Sequence, residues 1–378
     1  MAARKKKHSF YDFSLVSIIV FMLCFGLVML YSTTSYEAQL QGVSPTRFLR
    51  SHIFGVLLGL LGMFFISLID YHRWQKWTFI AYLGSMVLIL LVLTPLGKSA
   101  KGATRWIYIG SLSFQPAEFA KIATILLMAY LIQRNTKHIN KIPTMLRILV
   151  FIVPIAVLIK VITNNLSSAI IVAGIAVIMI FVATPRYDIF VITAIVGSIA
   201  IALFIYKLDW FMQLSDSFRL GRVLAWLDPE SDPTDKGFQI LQGLYAIGSG
   251  GLFGKGLGNS VQKLSFLPES QNDMIFAVIC EELGLFGACS VILMFLFMLW
   301  RFMVIANNAP DLYGSMLVIG VMAHIAIQVI LNIAVVTNTI PNTGITLPFI
   351  SYGGTSALFV TAEMGLVLNV SRQIKIEY

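Results

Sequence analysis

Charged side chains are scarce in this sequence, so those lying inside apolar stretches are the first candidates for chemistry. Glu118 and Lys121 follow Pro116 in Gln115-Pro116-Ala117-Glu118-Phe119-Ala120-Lys121. Pro116 suits the first turn of a helix, and residues three apart share a helix face and can pair. Such a pair either lines a polar cavity or neutralises itself so that the helix can sit in lipid. Asp273 ends the turn Leu267-Pro268-Glu269-Ser270-Gln271-Asn272 and enters a long apolar run. As an N-cap it is stabilised by free N–H groups and the helix dipole, and a carboxylate so placed can also accept a proton from a reacting hydroxyl. Glu281 and Glu282 lie two turns deeper, Glu281 on roughly the same face as Asp273, in a structural or a functional role. Arg105, Arg219, Arg222, Lys121, Lys255 and Lys263 form a basic set that suits phosphate oxygens, the arginines above all for diphosphate. Contact with anionic lipid headgroups is the plainer alternative, and Trp106 alone reads as an interfacial belt residue.

A third cluster, Ile340 to Ser356, holds two prolines, three glycines and five serine or threonine hydroxyls. Irregular backbone at membrane depth survives only where it is buried in protein or lines a water-filled cavity, so a re-entrant cavity wall is expected. The glycines from Gly248 to Gly258 fail the Walker A pattern, since Lys255 is followed by Gly256, and read as a hinge. Five histidines show no metal-ligand spacing, and Cys24, Cys280 and Cys289 sit in apolar runs as reduced thiols. The sequence shows no dedicated metal site.

The elements that must hold these groups follow from composition. Of 378 residues, 58% are hydrophobic and only 12% charged, with a mean hydropathy of +0.84. A soluble domain carries about 25% charged residues, so a soluble enzyme, a disordered chain and a nucleic-acid reader are excluded despite the net charge of +9. The fold class is an all-α polytopic membrane protein. Apolar runs long enough to span a bilayer predict ten transmembrane helices near 12–32, 52–69, 77–96, 116–132, 144–162, 166–183, 189–206, 274–300, 312–335 and 347–370. The eighth is overlong. Lysine and arginine in the short loops place both termini in the cytoplasm, with the basic segment 1–11 as a cytoplasmic tail retained ahead of the first helix. The one long connection, 207–273, is extracytoplasmic and lies between helices 7 and 8; within it 238–245 reads as an amphipathic surface helix bearing Gln239. The whole chain reads as one integral membrane domain, without internal repeats.

Taken together, Gly102-Ala103-Thr104-Arg105-Trp106-Ile107, the Gln115 to Lys121 motif, Gly221-Arg222 with Ala225-Trp226 and Asp228-Pro229, Leu267-Pro268-Glu269 through Asp273 to Glu281-Glu282-Leu283-Gly284, and Pro341 to Ser356 resemble the SEDS proteins. These are peptidoglycan glycosyltransferases of the FtsW, RodA and SpoVE type, and the resemblance covers about 15 to 373. It implies polymerisation of lipid II into glycan strands on the outer face of the bacterial cytoplasmic membrane, with Asp273 as the catalytic residue and Glu118 and Lys121 in a central cavity. It also implies a class B penicillin-binding protein, a transpeptidase, as partner within the divisome or a related cell-wall complex. Arg105, Trp106, Glu118, Lys121, Arg219, Arg222, Gln239, Lys263, Ser351 and Thr355 make up the candidate substrate-binding set. Arginine, lysine or a divalent cation (Mg or Mn) would stabilise the departing diphosphate. Asn164-Asn165-Leu166-Ser167-Ser168 stands where many relatives carry an aspartate, and Asn272 and Met274 flank Asp273 where relatives often have Thr and Phe. The Gln-Asn-Asp and Pro-Asn-Thr-Gly wording leans toward the division and sporulation branch. A lipid II flippase and a non-catalytic scaffold for a transpeptidase are the alternatives.

Overall fold

The computed structural model describes residues 8–9, 11–40, 42, 44, 46–100, 103–109, 112–207, 218–233, 237–264 and 266–376. A short strand β1 (His8–Ser9) precedes helices α1 (Phe13–Leu40), α2 (Thr46–Leu68) and α3 (His72–Leu90). Strands β2 (Gly97–Ala100), β3 (Ala103–Ile109) and β4 (Leu112–Phe114) lead into α4 (Pro116–Arg134), α5 (Ile142–Val150), α6 (Ile152–Ile162), α7 (Leu166–Ala183) and α8 (Tyr187–Tyr206). Then come α9 (Phe218–Leu227), α10 (Phe238–Gly250), α11 (Ile275–Asn307), α12 (Leu312–Val336), α13 (Gly354–Gln373) and β5 (Lys375–Ile376). The chain is thus helical and multi-pass. Among the described residues, nine helical segments are long and apolar enough to cross a membrane, and α5 and α6 together form one of them.

Three features depart from the sequence expectations. Residues 97–114 fold as an antiparallel sheet in the order β2-β3-β4, so the segment carrying Arg105 and Trp106 is a ribbon rather than a loop. Alternation along β3 sends these two neighbours to opposite faces, and Trp106 pairs with Lys98 just before the register shifts. The last helix begins at Gly354, not near 347. Leu347 donates its backbone N–H to Ser351 Oγ (2.7 Å), and Phe349 holds a left-handed φ of 65°, so residues 347–353 form a separate turn ahead of α13. The overlong eighth span is not a continuous helix: Gly284 (φ 65°, ψ −165°) breaks α11.

Packing concentrates on α4, α11, α12 and α13, whose buried faces form the core. α13 lies closest to α2. A Cβ at Gly55 would stand 2.3 Å from the Gly354 carbonyl oxygen, and one at Gly59 2.9 Å from Thr361 Cβ. This is the small-residue contact that lets membrane helices approach backbone to backbone. α8, by contrast, has no buried residue. At the end of the bundle away from Asp273, Asp12 binds Arg301 (2.6 Å), and Asp311 accepts from Tyr71 and lies 2.9 Å from His72 Nε2.

Candidate active site

The break in α11 is filled by the glycine-rich stretch. The Glu281 and Glu282 carbonyls accept from the Lys255 and Gly256 amides (2.9 Å each), and the Leu285 and Phe286 amides donate to the Gly251 and Leu252 carbonyls (3.0 and 3.2 Å). Backbone groups freed by the kink are therefore satisfied by a second strand of backbone, as burial demands. Close approach requires glycine on both sides: a Cβ at Gly254 would stand 2.2 Å from the Glu282 carbonyl oxygen. The expected hinge is instead a plug. Both acidic side chains serve it. Glu281 accepts from Lys255 Nζ (2.7 Å), the Val261 amide (3.0 Å) and the Ser260 hydroxyl. Glu282 accepts from Lys263 Nζ and Ser32 Oγ, each at 2.7 Å. Lys263 is thereby taken out of the basic set; it is buried and paired with Glu282 rather than presented to a phosphate.

Above this plug, residues 267–274 form the turn that carries Asp273. Glu269 adopts a left-handed φ of 57°, and its carbonyl accepts from the Asn272 and Met274 amides (2.9 and 3.2 Å). Met274, not Asp273, occupies the N-cap position; the aspartate precedes the cap by one residue. Asp273 is buried and faces the third cluster: a Cβ at Gly344 would lie 3.5 Å from Asp273 Oδ2. Gly344 itself has a φ of 65°, where glycine is favoured.

The two irregular segments are tied together. Ser351 Oγ donates to the Asn272 carbonyl (2.7 Å), and the Tyr352 amide donates to the Gln271 carbonyl (2.8 Å). The side-chain amide of Asn332 donates to the carbonyls of Asp273 (2.8 Å) and Ile345 (2.7 Å). From Gly344 the network reaches the basic residues. The Gly344 amide donates to Asn342 Oδ1 (3.2 Å), Asn342 Nδ2 donates to Gln239 Oε1 (2.9 Å), and Arg222 Nη1 donates to the Asn342 carbonyl (3.2 Å). Arg105 donates to the Thr163 and Asn164 carbonyls (3.3 and 3.2 Å). Burial lowers its pKa, and the neighbouring positive charge of Arg222 lowers it further. The two guanidinium groups thus lie within electrostatic range of each other.

Four of the expected residues therefore converge, Asp273, Arg222, Gln239 and Ser351, with Arg105 within electrostatic range of Arg222. Gln239 rides on α10, which packs against α11. Glu118 and Lys121 pair with each other in the core at 2.9 Å. Glu118 Oε2 is buried with no hydrogen-bond partner among the described residues, which leaves one carboxylate oxygen open to a ligand or water. Thr355 stands in the first turn of α13 with its hydroxyl likewise unpartnered. Trp106 is half-buried on β3. The Arg219 side chain lies outside the described residues. Asn332 and Asn342 were not anticipated. Asn332 had a signal: it is a polar residue in an apolar span, where an amide needs a partner.

A family profile described as "Cell cycle protein", covering FtsW, RodA and SpoVE, matches residues 13–376. The chain belongs to this family. It is 40% identical over 364 residues to stage V sporulation protein E of Bacillus subtilis, covering 96% of this chain and 97% of that one. It is 36% identical over 371 residues to a probable peptidoglycan glycosyltransferase FtsW of a Geobacter species, covering 97% and 98%. Among solved structures it resembles a chain from work described as structural coordination of polymerization and crosslinking by a peptidoglycan synthase complex (TM-score 0.76, 27% identity, covering 96% and 98%). It also resembles the rod shape determining protein RodA of Thermus thermophilus (TM-score 0.69, 25% identity, covering 96% and 97%). As a member of this family with nine candidate spans, the chain is a multi-pass protein of the cytoplasmic membrane.

Proposed function

We propose that this protein is a peptidoglycan glycosyltransferase that polymerises lipid II at the outer face of the cytoplasmic membrane, with Asp273 as general base. One observation carries the assignment of the base: a buried carboxylate that faces Gly344, from which a network runs through Asn342 to Arg222, whose charge also reaches Arg105. In this reading the acceptor sugar's 4-hydroxyl gives its proton to Asp273 as its oxygen attacks the anomeric carbon of the donor. The anomeric carbon–oxygen bond to the diphosphate breaks, and the prenyl diphosphate leaves with the electron pair. One positioned carboxylate contributes about 10²- to 10⁴-fold to such a step. Glycosidases employ a second carboxyl group to protonate an alcohol leaving group; a diphosphate leaves without that proton. Its growing charge is met by the fixed guanidinium groups of Arg105 and Arg222, and Glu118, Lys121 and Thr355 line the approach.

The orientation that fits has ten crossings, with α13 as the tenth, both termini in the cytoplasm, and Asp273 and the 207–273 segment outside. The solved relative from a complex of polymerization and crosslinking supports a class B transpeptidase as partner of this chain. The test is glycan synthesis from labelled lipid II by the purified full-length chain with its transpeptidase. Asp273→Asn is expected to abolish long glycan products while keeping the wild-type elution profile and partner binding. Near-wild-type synthesis by that variant would remove Asp273 from the mechanism.

A further inference from the structure

Asn332 lies in the penultimate turn of α12, fully buried, on a helix that contributes no other contact named above to the Asp273 turn. Its amide nitrogen has two hydrogens, and both are used, on the Asp273 and Ile345 carbonyls. The orientation of the amide is fixed by this pattern, because a flipped group would set its oxygen against two carbonyl oxygens. Asp273 precedes α11, where the first turn closes from the Met274 carbonyl to the Ala277 amide (3.0 Å). Ile345 lies in the irregular segment before α13. Buried carbonyls outside regular structure must find partners in the protein.

We propose that Asn332 is a positioning residue for the reaction: it holds the base-bearing turn and the Gly344–Ile345 wall at one spacing, and so sets where the Asp273 carboxylate stands relative to the acceptor hydroxyl. The inference rests on the reading of Asp273 as the base. The geometry distinguishes a positioning role from general support. The two accepting carbonyls belong to the base itself and to the residue after the glycine that faces its carboxylate. They come from segments far apart in sequence, and one planar amide joins them. A misplacement of about 1 Å at a reacting group costs on the order of 100-fold in rate, whereas substrate contacts to Arg105 and Arg222 are untouched by a change at Asn332.

The experiment is steady-state glycan synthesis by the full-length chain with its transpeptidase, varying lipid II, for Asn332→Ala, Asn332→Asp and Asn332→Gln beside Asp273→Asn. Thermal stability of each purified variant is measured in parallel. Asn332→Asp keeps the volume while removing donors; Asn332→Gln keeps the donors on a stem one methylene longer. The expected result is a kcat lowered about 10- to 100-fold in Asn332→Ala and Asn332→Asp, a KM within about threefold of wild type, and partial recovery of kcat in Asn332→Gln. If Asn332→Ala is too unstable to purify, the volume-conserving Asn332→Asp decides. Wild-type kcat in Asn332→Asp, or a loss confined to KM, would overturn the positioning role while leaving an inactive Asp273→Asn to uphold the base. An active Asp273→Asn would overturn both.

Discussion

Lys263 offers the sharpest test of the structural reasoning, since its type alone suggested a phosphate ligand and its surroundings assign it otherwise. Its ammonium is 2.7 Å from Glu282 Oε1 and 2.8 Å from Ser32 Oγ, with side-chain exposures of 6% for the lysine and 0% for the glutamate. Removing one member of a buried pair typically costs about 3–5 kcal/mol because the other charge stays buried without compensation. In Lys263→Met, Glu282 would retain Ser32 Oγ and a long contact from the Ser260 amide (3.4 Å), which places the loss near the lower figure, about 3 kcal/mol. For a chain of 378 residues that corresponds to a fall of roughly 4 °C in the unfolding midpoint. The double variant Lys263→Met with Glu282→Leu removes both charges and should recover most of the loss. The assay is the midpoint of heat-induced loss of monodisperse protein in detergent for the wild type, both single variants and the pair. An unchanged midpoint in Lys263→Met, accompanied by a raised KM for lipid II, would refute the assignment and return this lysine to the substrate site. A double variant no more stable than either single one would refute the pairing argument.

Two further expectations concern backbone and pH. Gly284→Ala places a Cβ 2.4 Å from the Gly254 nitrogen at a φ of 65°, so the plug must shift; a loss of about 2 kcal/mol or more is expected, read as poor yield and a lowered unfolding midpoint. Asp70 lies between α2 and α3. Burial raises its pKa, but the His72 amide, the Gln373 amide and the His72 ring outweigh that and hold it down to about 2, against an ordinary value of 3.8. A carboxyl group depressed on folding stabilises the protein above its unfolded pKa and loses that contribution as pH falls through the folded value. Burial lowers the pKa of His72, but Asp70 and Asp311 outweigh that and hold it above its ordinary 6.5. The stability difference between the wild type and Asp70→Asn should therefore grow as pH falls from about 8 to 5 and His72 gains its proton, then shrink below about pH 4 as Asp70 is itself protonated. A difference that stays flat between pH 8 and 5 would show that Asp70 does not act on His72.

Much of this architecture was legible because lipid imposes simple demands. Apolar length marks the spans, and the predicted starts of α4, α7 and α12 fall on or beside the observed ones, Pro116, Leu166 and Leu312. The pairing of Glu118 with Lys121 follows from helix spacing alone. What could not be read was contact between segments distant in sequence. Lys263 looks like any outer-loop lysine until Glu282 and Ser32 are seen beside it. The glycines at 250–258 look flexible until the kink at Gly284 shows what they must approach. The start of α13 was misplaced because residues 347–353 are apolar enough to join a span, while Pro348, the left-handed Phe349 and the Ser351 cap favour a turn. Asn332 carries no charge, so among the polar residues of the spans nothing in its type marks an amide that serves two carbonyls.

The interruption at Gly284 also bears on how the protein meets membranes of different thickness. A rod of 33 residues would be about 50 Å long, well beyond a hydrocarbon layer of about 30 Å. Cut where it is, the lower cylinder from Phe286 to Asn307 measures about 33 Å, close to that thickness. Its buried Phe295, Met298 and Phe302 and the Arg301 tie to Asp12 hold it in the bundle, so a bilayer of another thickness must itself thin or thicken around it. The acid at the head of the upper piece then stands at a height set by protein contacts and not by acyl chain length.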